Sequence, residues 1–285
     1  SFSILIGGIA RYLPEDRRAF AAGFINAGSS FGQFLFAPLA QFLIATTGWL
    51  VALLLLAASA LATIPLALAL GRQTRHAPSL AGPSPGLRSQ LRTAAGDRSY
   101  HLLHLGFFTC GFHIAFLVTH LPGEVSLCGL APQVSANALA LIGLANIGGS
   151  LAAGALCQRF RMKYVLAWMY ASRALLILLY LAAPRTATTF YVFAAALGFT
   201  WLATVPPTAG LVGKLFGTRH LATLFGLTLI SHQTGGFFGA WLGGLTISSY
   251  GDYTWMWYAD AGLALLAALV NLPIREAPVR RVAAA

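Results

Sequence analysis

The sequence predicts an all-helical protein that crosses a membrane many times, and three observations predict it. The chain of 285 residues is 58% apolar and 9% charged, whereas a soluble domain carries about 25% charged residues. So few charges cannot coat a water-facing globule. The apolar residues fall in successive runs, each near the ~20 residues that carry a helix across hydrocarbon. The basic residues, finally, collect in alternate links between those runs.

Taken in order, the runs predict a partial span over 1–13. Full spans follow over 18–44, 48–70, 101–121, 135–157, 164–183, 188–213, 220–247 and 253–274. Inside lipid every backbone N–H and C=O needs a partner, which a helix supplies within itself. A barrel would need short segments of alternating polarity, and these runs do not alternate. The link RYLPEDRR holds Arg11, Arg17 and Arg18. The segment 72–100 holds Arg72, Arg75, Arg88, Arg92 and Arg98. QRFRMK holds Arg159, Arg161 and Lys163, KLFGTRH holds Lys214 and Arg219, and the tail holds Arg275, Arg280 and Arg281. Sixteen of the eighteen Lys and Arg therefore lie on one side, which the positive-inside rule assigns to the cytoplasm. The opposite links carry Arg185, Glu124 and Asp252.

This placement also disposes of a nucleic-acid partner, which the net charge of +11 would otherwise suggest. The three cysteines, Cys110, Cys128 and Cys157, sit on different segments and read as free packing residues. No clustered ligands point to a metal, and nothing points to a cofactor. The segment 72–100 is rich in Pro, Gly, Ser and Arg and reads as a cytoplasmic linker. It divides 1–71 from a six-helix unit over 101–274, with 275–285 as a cytoplasmic tail.

Residues 11–48 overlay 214–251 without a gap. Gly23 meets Gly226, Gly32 meets Gly235, Phe34 meets Phe237, and Gly48 meets Gly251. The shared order is basic link, glycine-striped helix, glycine turn, next helix. A repeat of this kind predicts twelve helices in two parallel sixes. It places three helices and most of a fourth ahead of Ser1.

On these residues the sequence resembles the major facilitator superfamily along its whole length, as the end of helix 4 through helix 12. RYLPEDRRAFAAGFINAGSSFGQFLFAPLAQFL is similar to the helix 4–5 junction and helix 5 of bacterial relatives of the monocarboxylate-porter type. GALCQRFRMK resembles the family's loop motif G-x-x-x-D-R-x-G-R-R/K, matched at Gly154, Arg159 and Lys163. Gln158 stands where the motif's acid would be, Arg161 replaces its second glycine, and Met162 replaces an arginine. Monocarboxylate porters often carry Asp and Arg four residues apart on helix 8, where IGLANIGGSLAAG places Asn146 and Ser150. The resemblance implies the major facilitator fold in a bacterial inner membrane, with a multi-pass, monomeric chain whose C-terminus is cytoplasmic. It also implies a secondary transporter of a small organic solute working by alternating access, with an organic anion and protons as expected partners beside membrane lipids. A proton-driven exporter of drugs or metabolites is the second reading. A membrane sensor and a membrane enzyme are further ones, for which no signalling domain, acid cluster or Walker-type loop speaks.

Polar side chains inside spans either join helices or line a water-filled path. His113 shares a face with Gly106, Thr109 and His120, and it either titrates in the cavity or is hydrogen-bonded between helices. Trp201 and Thr204 share a face just before Pro206 and Pro207, whose missing donors predict a kink and a hinge. His232 continues the stripe Gly235–Gly239–Gly243, with Gln233 beside it. Asn26, Ser29, Ser30 and Gln33 form the matching strip in the repeat, and the two strips are expected to face one another. Arg173 and Asp260 are the formal charges inside spans and are expected to pair. Gly154, Arg159 and Lys163 complete the expected gate.

Overall fold

The computed structural model describes residues 2–74 and 86–279. The remainder of the expected linker (75–85) and of the tail (280–285) lies outside the described residues. Among the described residues twelve helices follow one another: α1 (Phe2–Ile9), α2 (Glu15–Thr47), α3 (Trp49–Leu61), α4 (Thr63–Thr74), α5 (Leu87–Ala95), α6 (Arg98–Leu127), α7 (Pro132–Arg159), α8 (Met162–Ala182), α9 (Ala187–Thr200), α10 (Val205–Phe216), α11 (Leu221–Tyr250) and α12 (Thr254–Asn271). No strand is present among the described residues.

The expected spans map onto these helices, with two of them divided. The span at 48–70 becomes α3 and α4, and the span at 188–213 becomes α9 and α10, broken at 201–204. Among the described residues five spans are long and apolar enough to cross a membrane: Trp49–Ala69, Arg98–Leu127, Pro132–Arg159, Met162–Ala182 and Ala187–Phe216. The chain is therefore a multi-pass, all-α membrane protein. Helices α2, α11 and α12 do not reach that criterion. The first two carry the Gly, Ser, Thr and amide residues of the two repeat strips, and α12 carries Asp260. Part of the expected linker is itself helical. α5 packs beside α6, and Gln90 donates to the Phe216 carbonyl at the end of α10 (3.1 Å).

The helix ends follow from local chemistry. Asp97 caps α6 by accepting from the Tyr100 N–H (3.0 Å), which meets one of the donors a helix start leaves open. α2 and α11, the repeat's counterparts, both end at a glycine of positive φ: 81° at Gly48 and 78° at Gly251. A side chain there would be strained, so glycine ends each helix and lets the next begin.

The packing has a simple plan. α11 lies along α6, α12 on α8 and α6, and α9 on α7. The N-terminal group, α1 to α4, meets this assembly through α2, which lies along α7 and touches α10, and through α1 against α11. On the basic side a strap crosses the helix ends. Arg275 pairs with Asp97 (3.0 Å), and its N–H donates to Ser99 Oγ (2.9 Å). Glu276 accepts from the Lys163 N–H (2.7 Å), and the Val279 N–H donates to the Leu215 carbonyl (3.0 Å).

Candidate functional site

The site begins at the break in the span 187–216. Pro206 and Pro207 have no N–H to offer the preceding turn, and their rings crowd it. The Val205 N–H turns to the Leu202 carbonyl instead (3.0 Å), and Trp201 to Thr204 leave the helix. The expected kink is thus a full interruption.

Exposed to lipid, freed backbone groups would each cost several kcal/mol. Here side chains from three other helices take them up. Arg173 of α8, fully buried, donates through Nη2 to the carbonyls of Thr200 (2.8 Å) and Trp201 (2.9 Å). Its cation also sits at the carbonyl end of α9, where the helix dipole favours it. Asn146 of α7 accepts from the Leu202 N–H (2.9 Å). Asn26 of α2 donates to the Leu202 carbonyl (3.1 Å). Thr204 shares a hydrogen bond with the Cys110 thiol of α6 (3.3 Å).

Two of these residues also join the N-terminal group to the rest. Asn26 Nδ2 donates to Ser150 Oγ (2.6 Å), and Asn146 Nδ2 donates to Ser30 Oγ (2.6 Å). Higher up, Gln33 donates to the Leu139 carbonyl (3.1 Å). Asn26, Ser30, Asn146 and Ser150 are all buried. Glycine makes the approach close enough. A Cβ on Gly23 would overlap the Ser150 carbonyl oxygen, and one on Gly143 would come within 2.7 Å of the Phe34 nitrogen. Sequence reasoning had singled out both strips, but it turned the one on α2 toward α11. The structure corrects this: α2 meets α7, and the polar positions 26 and 30 find amide and hydroxyl partners at 146 and 150.

Beside the break stands a buried pair. His113 Nδ1 contacts Asp260 Oδ2, both side chains are fully buried, and the His113 ring lies edge-on to Trp201 at 5.5 Å. The expected pairing of Arg173 with Asp260 is corrected here. Asp260 takes His113, and Arg173 is committed to the carbonyls that the prolines release. His113 Nε2, Asp260 Oδ1, and Arg173 Nε and Nη1 have no hydrogen-bond partner among the described residues.

The remaining sequence candidates are more peripheral. His232 is half-buried. Its ring lies 5.0 Å from Phe107 of α6, and its Nδ1 donates to Gln233 Oε1 (3.1 Å). Gln233 itself is exposed. The stripe they belong to packs on α6, where a Cβ on Gly235 or Gly239 would overlap the carbonyls of Phe108 or Phe112. His232 and Gln233 therefore do not face α2, because the glycine stripe turns that side of α11 onto α6. Gly154 packs against Phe20 of α2, Arg159 is exposed, and Lys163 donates from Nζ to the Leu272 carbonyl (2.7 Å). An acid does reach this loop from the tail: Glu276, which accepts from the Lys163 N–H, also pairs with Arg161 at 3.5 Å. An acid directly after the last span, in a basic tail, was the available signal for it.

A cavity of about 390 Å³ opens on the basic side, where α1 and α2 meet α7, α8 and α10. Glu15, Asp16, Arg18, Cys157 and Lys214 line it with apolar neighbours. Arg18 spends its Nε on the carbonyls of Ala10 and Leu13 (3.0 and 3.1 Å). The volume is that of a small-molecule site, and sequence reasoning had not singled out these lining residues together.

The family model for the Major Facilitator Superfamily matches residues 1–228 and again 129–285. Monocarboxylate transporter 13 of Rattus norvegicus is 28% identical over 280 residues, covering 96% of this chain and 64% of that protein. The Bos taurus protein of the same name is 28% identical over 286 residues, with the same coverage. An uncharacterized MFS-type transporter of Bacillus subtilis, YcxA, is 27% identical over 155 residues, covering 52% of this chain and 37% of its own length. The chain thus spans 64% of the length of the two mammalian relatives.

Proposed function

The chain belongs to the Major Facilitator Superfamily, and from that premise we propose that it serves a secondary transporter of a small organic solute. The two helical groups would expose a site between them to either side of the membrane in turn. Membership in this family points to a transporter rather than an enzyme. In this reading 1–71 and 101–274 belong to the two halves, and the basic side faces the cytoplasm.

The observation that carries the reading is the interface between the groups. Among the described residues α2 donates three side-chain hydrogen bonds across it, to Ser150 Oγ and to the Leu202 and Leu139 carbonyls, and Ser30 of α2 accepts a fourth from Asn146, while Arg11 donates to the Arg219 carbonyl (3.3 Å). Inside membranes such bonds contribute about 0.6 kcal/mol each on average. Together they contribute roughly 2–3 kcal/mol to the contact, beside the close packing that Gly23 and Gly143 permit.

An organic anion is the substrate class this reading favours. The relatives named monocarboxylate transporters support it. The buried His113–Asp260 pair is the candidate for proton exchange. The test is uptake by proteoliposomes of a panel of small carboxylates, neutral analogues and cationic drugs, with and without an inward proton gradient. Saturable carboxylate uptake that the gradient accelerates is expected. Uptake confined to neutral or cationic compounds would refute the anion assignment, and uptake indifferent to the gradient would refute proton exchange.

A further inference from the structure

The break at Trp201–Thr204 stands between two features that would otherwise be remote. On one side is the N-terminal group, whose Asn26 reaches past Ser150 to the Leu202 carbonyl (3.1 Å). On the other is the buried His113–Asp260 pair, with the His113 ring against Trp201 at 5.5 Å. Leu202 and Trp201 are adjacent, in a segment whose backbone is not held by helical hydrogen bonds. A shift at Leu202 therefore moves Trp201, where a regular helix would resist it.

We infer that Asn26 is a positioning residue that couples the contact between the two helical groups to the His113–Asp260 pair through this break. The inference rests on the alternating-access reading and adds the residue that transmits it. When α2 withdraws from α7, Asn26 leaves both Ser150 and Leu202. The Leu202 carbonyl then loses one of its two donors and keeps the Val205 N–H. The segment relaxes, and the indole edge moves from the imidazole. In the reverse sense, proton uptake by the pair changes the charge facing Trp201 and so biases the break. The groups facing His113 are Asp260 of α12, Arg173 of α8 and Trp201. Arg173 caps the same segment, so a change of charge on the pair is felt at the break from both ends.

Ser150 supplies the control. Ser150→Ala removes the same contact between the groups as Asn26→Ala, yet it leaves the Asn26 amide free to hold Leu202. Hydrogen–deuterium exchange of peptides spanning 198–208 is measured in lipid nanodiscs between pH 5 and pH 8, alongside proteoliposome uptake. The loss of one hydrogen bond predicts that Asn26→Ala speeds exchange of the break by about fivefold. Ser150→Ala should leave it near the parent rate. The pH dependence of that exchange, corrected for intrinsic rates, should disappear in His113→Gln. Equal exchange in the Asn26 and Ser150 variants would overturn the inference, since Asn26 would then merely hold the groups together. A pH response that survives His113→Gln would also overturn it. If the exchange results hold and no solute is carried, the transport reading fails and the coupling stands.

Discussion

Arg173→Ala is expected to destabilise the protein by about 2–4 kcal/mol, because two buried carbonyls lose charge-assisted donors. The side chain's own burial is costly, so its removal returns part of that loss. Arg173→Lys should lose less, since one ammonium can reach a carbonyl but cannot reproduce the planar fork. The mechanism makes a sharper statement about the prolines. With Pro206→Ala and Pro207→Ala in place, the span can close into a regular helix, and the N–H groups of Thr204 and Val205 can return to Thr200 and Trp201. Arg173→Ala should then cost at least about 1 kcal/mol less than in the parent. Chemical unfolding in detergent measures this, and strict additivity would show that Arg173 does not act as the cap of a proline-made break.

His113→Leu should be the more damaging single change, at about 3–5 kcal/mol, because it strands the Asp260 carboxylate in a fully buried site. Adding Asp260→Leu should bring stability back to within about 1 kcal/mol of the parent, since apolar residues often replace a buried pair without loss. Proton-driven uptake should not return with it. Stability and transport would then part company in one protein, which separates a pair kept for packing from a pair kept for protons. A double variant that is stable and still responds to the proton gradient would assign the pair to structure alone.

Much of the fold is legible in the sequence, because the membrane imposes one rule on every span. Apolar length fixed where the helices run, and Gly48 and Gly251 marked the ends of the two repeat helices. Residue type also found the site's members: Asn26, Asn146, Arg173, His113, Asp260 and the prolines are costly in lipid unless they serve something. Their partners were not legible. The 3.6-residue period says which residues share a face, but not which helix that face meets. Hence the strip on α2 was turned toward α11, when the small residues Gly23 and Gly143 bring it onto α7. Charge alone likewise paired Arg173 with Asp260. The carbonyls that won Arg173 belong to the backbone, and they are exposed by Pro206 and Pro207 rather than written in any side chain. The basic-side cavity was missed for a related reason, since its lining comes from six separate helices and the link between two of them.

The central claim is that the two helical groups move against each other to carry solute, and a reversible cross-link tests it most directly. A Cβ on Gly210 of α10 lies 3.5 Å from the Ala19 Cβ of α2 once the flexible end of Met162, 2.5 Å away, gives way, a separation compatible with a disulfide. In a background without Cys110, Cys128 and Cys157, the variant Ala19→Cys/Gly210→Cys is reconstituted and its uptake followed before and after oxidation. The account predicts that oxidation reduces uptake to the level of empty vesicles, that a reductant restores it, and that neither single-cysteine variant responds. Fully cross-linked protein that transports as fast as the reduced form would contradict it.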